Sequence, residues 1–97
     1  MKIIEIEKGV TLYGLTRQYF TIENNSGVRY CVSILFDDNG NVIKEECDCK
    51  WGTINLSSKK FNTILCKHIL YVFAKENFKL PKKYCNKRNL RIIKSFK

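Results

Sequence analysis

A chain of 97 residues, 44% hydrophobic and 28% charged, is sized for one domain with a modest core, near the length at which metals or disulfides often supplement burial. Five cysteines, an odd number, argue against a complete disulfide framework and in favour of metal ligation or free thiols. Glu5 and Glu7 break the first apolar run and no stretch nears the roughly 18 apolar residues of a membrane span, so neither a secretory signal nor a transmembrane helix is expected, and the expected setting is cytoplasmic, intracellular and reducing.

In chain order, residues 2–7 (KIIEIE) predict a short strand and 17–23 (RQYFTIE) a second, with Phe20 and Ile22 on one face. Residues 28–36 alternate with period two: Val28, Tyr30, Val32, Ile34 and Phe36 on one face, Arg29, Cys31, Ser33 and Leu35 on the other. Asn24 to Gly27 and Asp37 to Gly40 carry hairpin chemistry, with Asn39-Gly40 the stronger signal. A further strand over 41–46 runs directly into Cys47. After a polar stretch, residues 66–77 predict a helix in which Ile69, Val72 and Phe73 form one apolar stripe, Leu70 widens it, and Leu80-Pro81 sets its latest end.

The cysteine pattern lies across the join between these elements. Cys47 and Cys49 form one pair, and Cys66 and His68, the sole histidine, form another, with sixteen residues between the pairs. In a regular helix, residues two apart point about 200° from each other, so Cys66 and His68 can share an ion only if Cys66 has non-helical angles at the helix N-terminus. That position also offers a thiolate the positive end of the helix dipole. Three thiols and an imidazole are a common closed tetrahedral zinc set, and these soft or borderline donors suit zinc better than magnesium or calcium. One structural Zn2+ held by Cys47, Cys49, Cys66 and His68 is therefore expected. Cys31 and Cys85 are expected to be packing or incidental thiols, and Trp51 a lid over the knuckle in preference to a stacking platform.

Charge is unevenly placed. Of the net +9, the last sixteen residues carry +7, from Lys82, Lys83, Lys87, Arg88, Arg91, Lys94 and Lys97, with no acid. Lys50, Lys59, Lys60 and Lys67 add cations in a second acid-free stretch, whereas Glu45, Glu46 and Asp48 surround the first cysteine pair. These eleven cations are the candidate nucleic-acid contacts. The C-terminal segment, in which Leu90, Ile92, Ile93 and Phe96 alternate with cations, reads as a nucleic-acid arm or a protein-docking segment ahead of a membrane-surface helix, because no lipidation signal accompanies it.

The motif over 47–68 resembles that of SWIM zinc-finger domains: Cys-x-Cys, a variable spacer, Cys-x-His, then an apolar helix, here Ile69 to Phe73. Trp51-Gly52 also fits that family, while Lys50 replaces the Pro often found directly after the second cysteine. The resemblance implies DNA binding among the possible roles, and partnership with RecA-class recombinase paralogues or repair factors. The expected architecture is a small α+β domain over 1–81, with an antiparallel β-meander leading into a zinc knuckle and one α-helix, followed by a basic tail over 82–97. The expected function is a zinc-stabilised module acting on nucleic acid, with a protein-interaction adaptor as the alternative. No enzyme is expected: four protein donors leave no position for a catalytic water, the only histidine is a ligand, and no phosphate-binding glycine loop or deaminase His-x-Glu appears.

Overall fold

Period-two alternation across three consecutive segments, each closed by a glycine turn, makes a four-stranded antiparallel sheet whose strands lie in chain order. The computed structural model describes residues 1–11, 13–49 and 64–97. The strands are β1 (Lys2–Val10), β2 (Thr16–Glu23), β3 (Arg29–Phe36) and β4 (Val42–Cys47). Helix α1 spans Lys67–Glu76, a 3-10 turn covers Lys82–Tyr84, and helix α2 spans Lys87–Phe96. A small α+β domain is thus what these residues build.

The three hairpins are copies of one turn. Thr11, Asn24 and Asp37 each accept, on a side-chain oxygen, the N–H groups two and four residues on, at 2.9 to 3.3 Å. Gly14, Gly27 and Gly40 each sit three residues later with φ near +80°, and each donates back to the carbonyl of the residue that opens its turn. Each turn thus finishes on a left-handed glycine, a common way to close a short hairpin loop. Successive turns are thirteen residues apart. Val28, expected on the core face of a strand, instead closes the second turn, where its carbonyl accepts from Asn24 N at 2.9 Å and its side chain is exposed.

One sheet face carries the fully buried Phe20, Ile22, Val32 and Ile34. Helix α1 lies on that face and buries seven consecutive residues, His68 to Ala74. An amphipathic helix on a sheet would leave one side wet, so burial all round requires a second cover. That cover is α2: Ile92, Ile93 and Phe96 pack on the core, and Phe96 meets Tyr71 edge-on at 5.1 Å between ring centroids. Between the helices, Asn77 takes left-handed angles and Phe78 N donates to the Phe73 carbonyl at 3.1 Å, ending α1 and turning Phe78 inward against Phe20, Phe36 and Phe73.

The segment from 82 onward is therefore part of the core. Asn86 caps α2 by accepting from Asn89 N at 2.9 Å. Asn89 is fully buried with its amide donating to the Tyr84 carbonyl at 2.9 Å, and its oxygen accepts from Arg88. A buried amide needs such partners, so truncation of Asn89 to Ala leaves the Tyr84 carbonyl and Arg88 short of one bond each. Asn89→Ala is expected to cost about 1–3 kcal/mol, checked by urea unfolding.

Candidate metal centre

Strand β4 ends at Cys47, and the ladder continues one residue further: Asp48 N donates to the Cys31 carbonyl at 3.1 Å, and the Asp48 carboxylate accepts from Cys31 N at 2.9 Å. This pinned residue separates the two cysteines and turns the chain so that Cys49 N points at Cys47 Sγ, 3.5 Å away. Cys66 is the N-cap of α1, with extended angles (φ −70°, ψ 159°), and its carbonyl accepts the first helical bond from Leu70 N. His68 follows in the first turn. The non-helical Cys66 demanded by the spacing is what the chain adopts.

All four residues are buried, and their donor atoms lie within 4.8 Å of one another. Thiolate bonds of about 2.3 Å and an imidazole bond of about 2.0 Å put tetrahedral donors roughly 3.5–3.8 Å apart. Cys47 Sγ and His68 Nδ1 are 3.8 Å apart. The set fits a metal ion by distance, by burial and by donor chemistry. Buried thiols with no disulfide among them would otherwise stand as polar groups in a core without a role.

The four donors share protons closely. The Cys66 thiol is drawn well below its ordinary range, first by the bond from the Cys47 thiol, with His68, the Ile69 N–H and Cys49 adding to it against burial. Cys47, the donor in that pair, is pushed up correspondingly, with burial adding to the effect. A bound dication displaces such shared protons outright. Tyr30 of β3 stacks on the His68 ring, with centroids 4.2 Å apart and planes at 29°, and so fixes the imidazole's orientation. Its place on the core face was legible in the sequence; its contact with a ligand was not.

Acidic Glu45, expected beside the first pair, faces the core from β4 and takes a short hydrogen bond from the Tyr84 hydroxyl. Burial lifts its carboxyl above the usual range, against the pull of that hydroxyl and of the Lys83 ammonium. A raised folded pKa means that ionisation opposes folding, so this contribution to stability is lost as pH rises through the folded value. Glu45→Gln keeps an acceptor for Tyr84 and removes the charge. It should melt above the parent at neutral pH, with the gap closing on acidification, in paired thermal scans.

Cys31 is half-buried on the outer sheet face, where burial and then Asp48 and Glu7 push its thiol up. Cys85 is exposed, 3.6 Å from the Leu80 and Pro81 carbonyls. Neither belongs to the cluster. Lys67, Lys82, Lys83, Lys87, Arg91, Lys94 and Lys97 are exposed, whereas Arg88 is half-buried. Lys50, Trp51, Lys59 and Lys60 lie outside the described residues. No family model, curated protein or solved structure matches the chain. No helix among the described residues is long and apolar enough to cross a membrane.

Proposed function

We propose that the chain is a zinc-stabilised binding module whose C-terminal helix contacts nucleic-acid phosphates. The observation that carries this reading is the outward face of α2. At 100° per residue, Lys87, Arg91 and Lys94 fall within about 60° of one another on the side opposite Asn89 and Phe96, and the helix holds no acid. Zinc is the ion favoured by three thiolates and one imidazole in a closed tetrahedral set. Its contribution is structural: it ties the end of β4 to the start of α1. Four protein donors leave no position for substrate, so we assign no catalysis to the centre. The resemblance of the 47–68 motif to SWIM zinc fingers, for which DNA binding is among the suggested roles, supports the same reading.

The test is fluorescence anisotropy with single- and double-stranded DNA across a salt series. If about five of the exposed C-terminal cations meet phosphates, log affinity for duplex falls against log salt with a slope near −4.5. Replacing Lys87, Arg91 and Lys94 together with Gln should make that slope shallower by about 2.7. A slope near zero overturns the proposal.

A second reading is favoured by β1. Among the described residues it pairs only with β2 and forms one edge of the sheet, with Ile4, Ile6 and Val10 exposed along it. Such an edge is suited to adding a partner's strand. In this reading the module is an adaptor, and the resemblance to SWIM proteins points to a recombinase paralogue or repair factor as the kind of partner. DNA binding that fails while zinc is retained would move the weight here.

A further inference from the structure

Arg88 belongs by sequence to the row of C-terminal cations, yet the fold turns it inward. Its Nη1 donates to the Leu65 carbonyl at 2.8 Å and to Asn89 Oδ1 at 3.2 Å. Leu65 is fully buried, and its carbonyl shares one rigid peptide plane with the nitrogen of Cys66. A hold on that carbonyl is therefore a hold on the backbone of a ligand. Asn89, itself fully buried and bonded to the Tyr84 carbonyl, receives the same guanidinium nitrogen, so the position of Arg88 is set by the interior of the domain.

Charge gives the second argument. Three thiolates around a divalent ion leave one net negative charge in a buried place, and such a charge is costly unless a counter-charge lies nearby. The bond from Arg88 Nη1 to the Leu65 carbonyl puts the guanidinium one peptide unit from Cys66, close enough to serve as that counter-charge. Arg also suits the place chemically, because its planar donors can bond a carbonyl while keeping their full charge.

We propose that Arg88 is a positioning residue of the metal centre: it fixes the Leu65–Cys66 peptide and sets a cation against the net negative charge of the three thiolates, so that α2 governs how tightly the metal is held. The proposal rests on the reading of the centre as a zinc site. It separates the C-terminal cations into two jobs on one helix, with Arg88 facing the metal centre and Lys87, Arg91 and Lys94 facing solvent.

The experiment is a Co2+ titration of the full chain, followed by zinc competition against a chromophoric chelator, for the parent, Arg88→Met, Arg88→Lys and Arg91→Met. Partners beyond the ligands typically set metal affinity by 10–100-fold. Arg88→Met is expected to weaken retention by about that factor and to shift the cobalt d–d bands, which report ligand geometry. Arg88→Lys should recover part of the affinity, and Arg91→Met should stay within about twofold of the parent. Retention by Arg88→Met within twofold of the parent overturns the proposal, as does an equal loss in Arg91→Met, which would make the effect one of general charge. Should Arg88→Met fail to fold, Arg88→Lys decides: weakening of threefold or more supports the proposal, and parental affinity overturns it. A parent that binds neither metal would instead remove the zinc reading itself.

Discussion

Cys49→Ser and His68→Ala are each expected to abolish stoichiometric zinc retention and to undo the junction between the end of β4 and the start of α1. The magnitude follows from a comparison. Structural zinc in small finger peptides contributes about 10–16 kcal/mol of apparent binding energy, against a total stability of roughly 5–15 kcal/mol for an ordinary domain. Losing one of four ligands leaves the other three thiol or imidazole groups buried beside an incomplete shell. Metal analysis of the purified variants and their thermal melts check the expectation. Cys31→Ala and Cys85→Ala are the controls, since both thiols lie outside the cluster and should leave zinc content unchanged. A parental zinc content in Cys49→Ser or His68→Ala would refute the ligand assignment. Chelation of the parent should reproduce the ligand variants' loss of structure, and acidification should release the metal because the ligating thiols and imidazole must be deprotonated.

The second large effect is expected from removing residues 82–97. Tyr84 and Asn89 are buried, and Ile92, Ile93 and Phe96 pack against the core. Each large apolar side chain that is fully buried stabilises by about 1.5–3 kcal/mol, so even partial burial of this group amounts to several kcal/mol. Truncation would also expose the side of α1 that Phe96 covers and would release the Leu65 carbonyl from Arg88. A chain ending at Pro81 should therefore lose its cooperative thermal transition or melt far below the parent, and should hold zinc more weakly. Circular dichroism on heating decides the first point and chelator competition the second. A truncated chain with the parent's melting temperature would mean that the segment is a solvated extension. For the same reason, loss of DNA binding on truncation cannot be assigned to lost phosphate contacts, and substitutions on the outer face of α2 are the cleaner probe.

Much of this architecture is legible in local pattern. Alternation in β2 and β3 carries the sheet, Asn24-to-Gly27 and Asp37-to-Gly40 carry two hairpins, and the paired spacing of Cys47, Cys49, Cys66 and His68 carries the buried cluster that could hold a metal ion. The first hairpin was harder to read, because apolar Tyr13 and Leu15 flank Gly14 and mask a turn whose only polar signal is Thr11. The packing of the last sixteen residues is illegible for a different reason. Their cations advertise solvent, while the apolar residues between them fall at helical spacing only once a helix is assumed. The sign of it lies in α1: seven consecutive buried positions, His68 to Ala74, cannot all face one sheet, and their run requires a second covering element. Tyr30 over His68 and Arg88 under Leu65 depend on how distant segments meet, which no local period encodes.

The thirteen-residue repeat of turns has a kinetic consequence. Every strand pairs with its neighbour in sequence, so each step of sheet assembly closes only a short loop, and a hairpin of that kind forms in about 1–10 μs. Low contact order in this half of the chain predicts a sheet that zips early. The longest loop to close is the one that returns α1 to the sheet, so Cys66 and His68 are expected to reach the end of β4 after the strands have paired. Metal supply would act on that late step, selecting when the domain finishes folding and leaving the order of its strands unchanged.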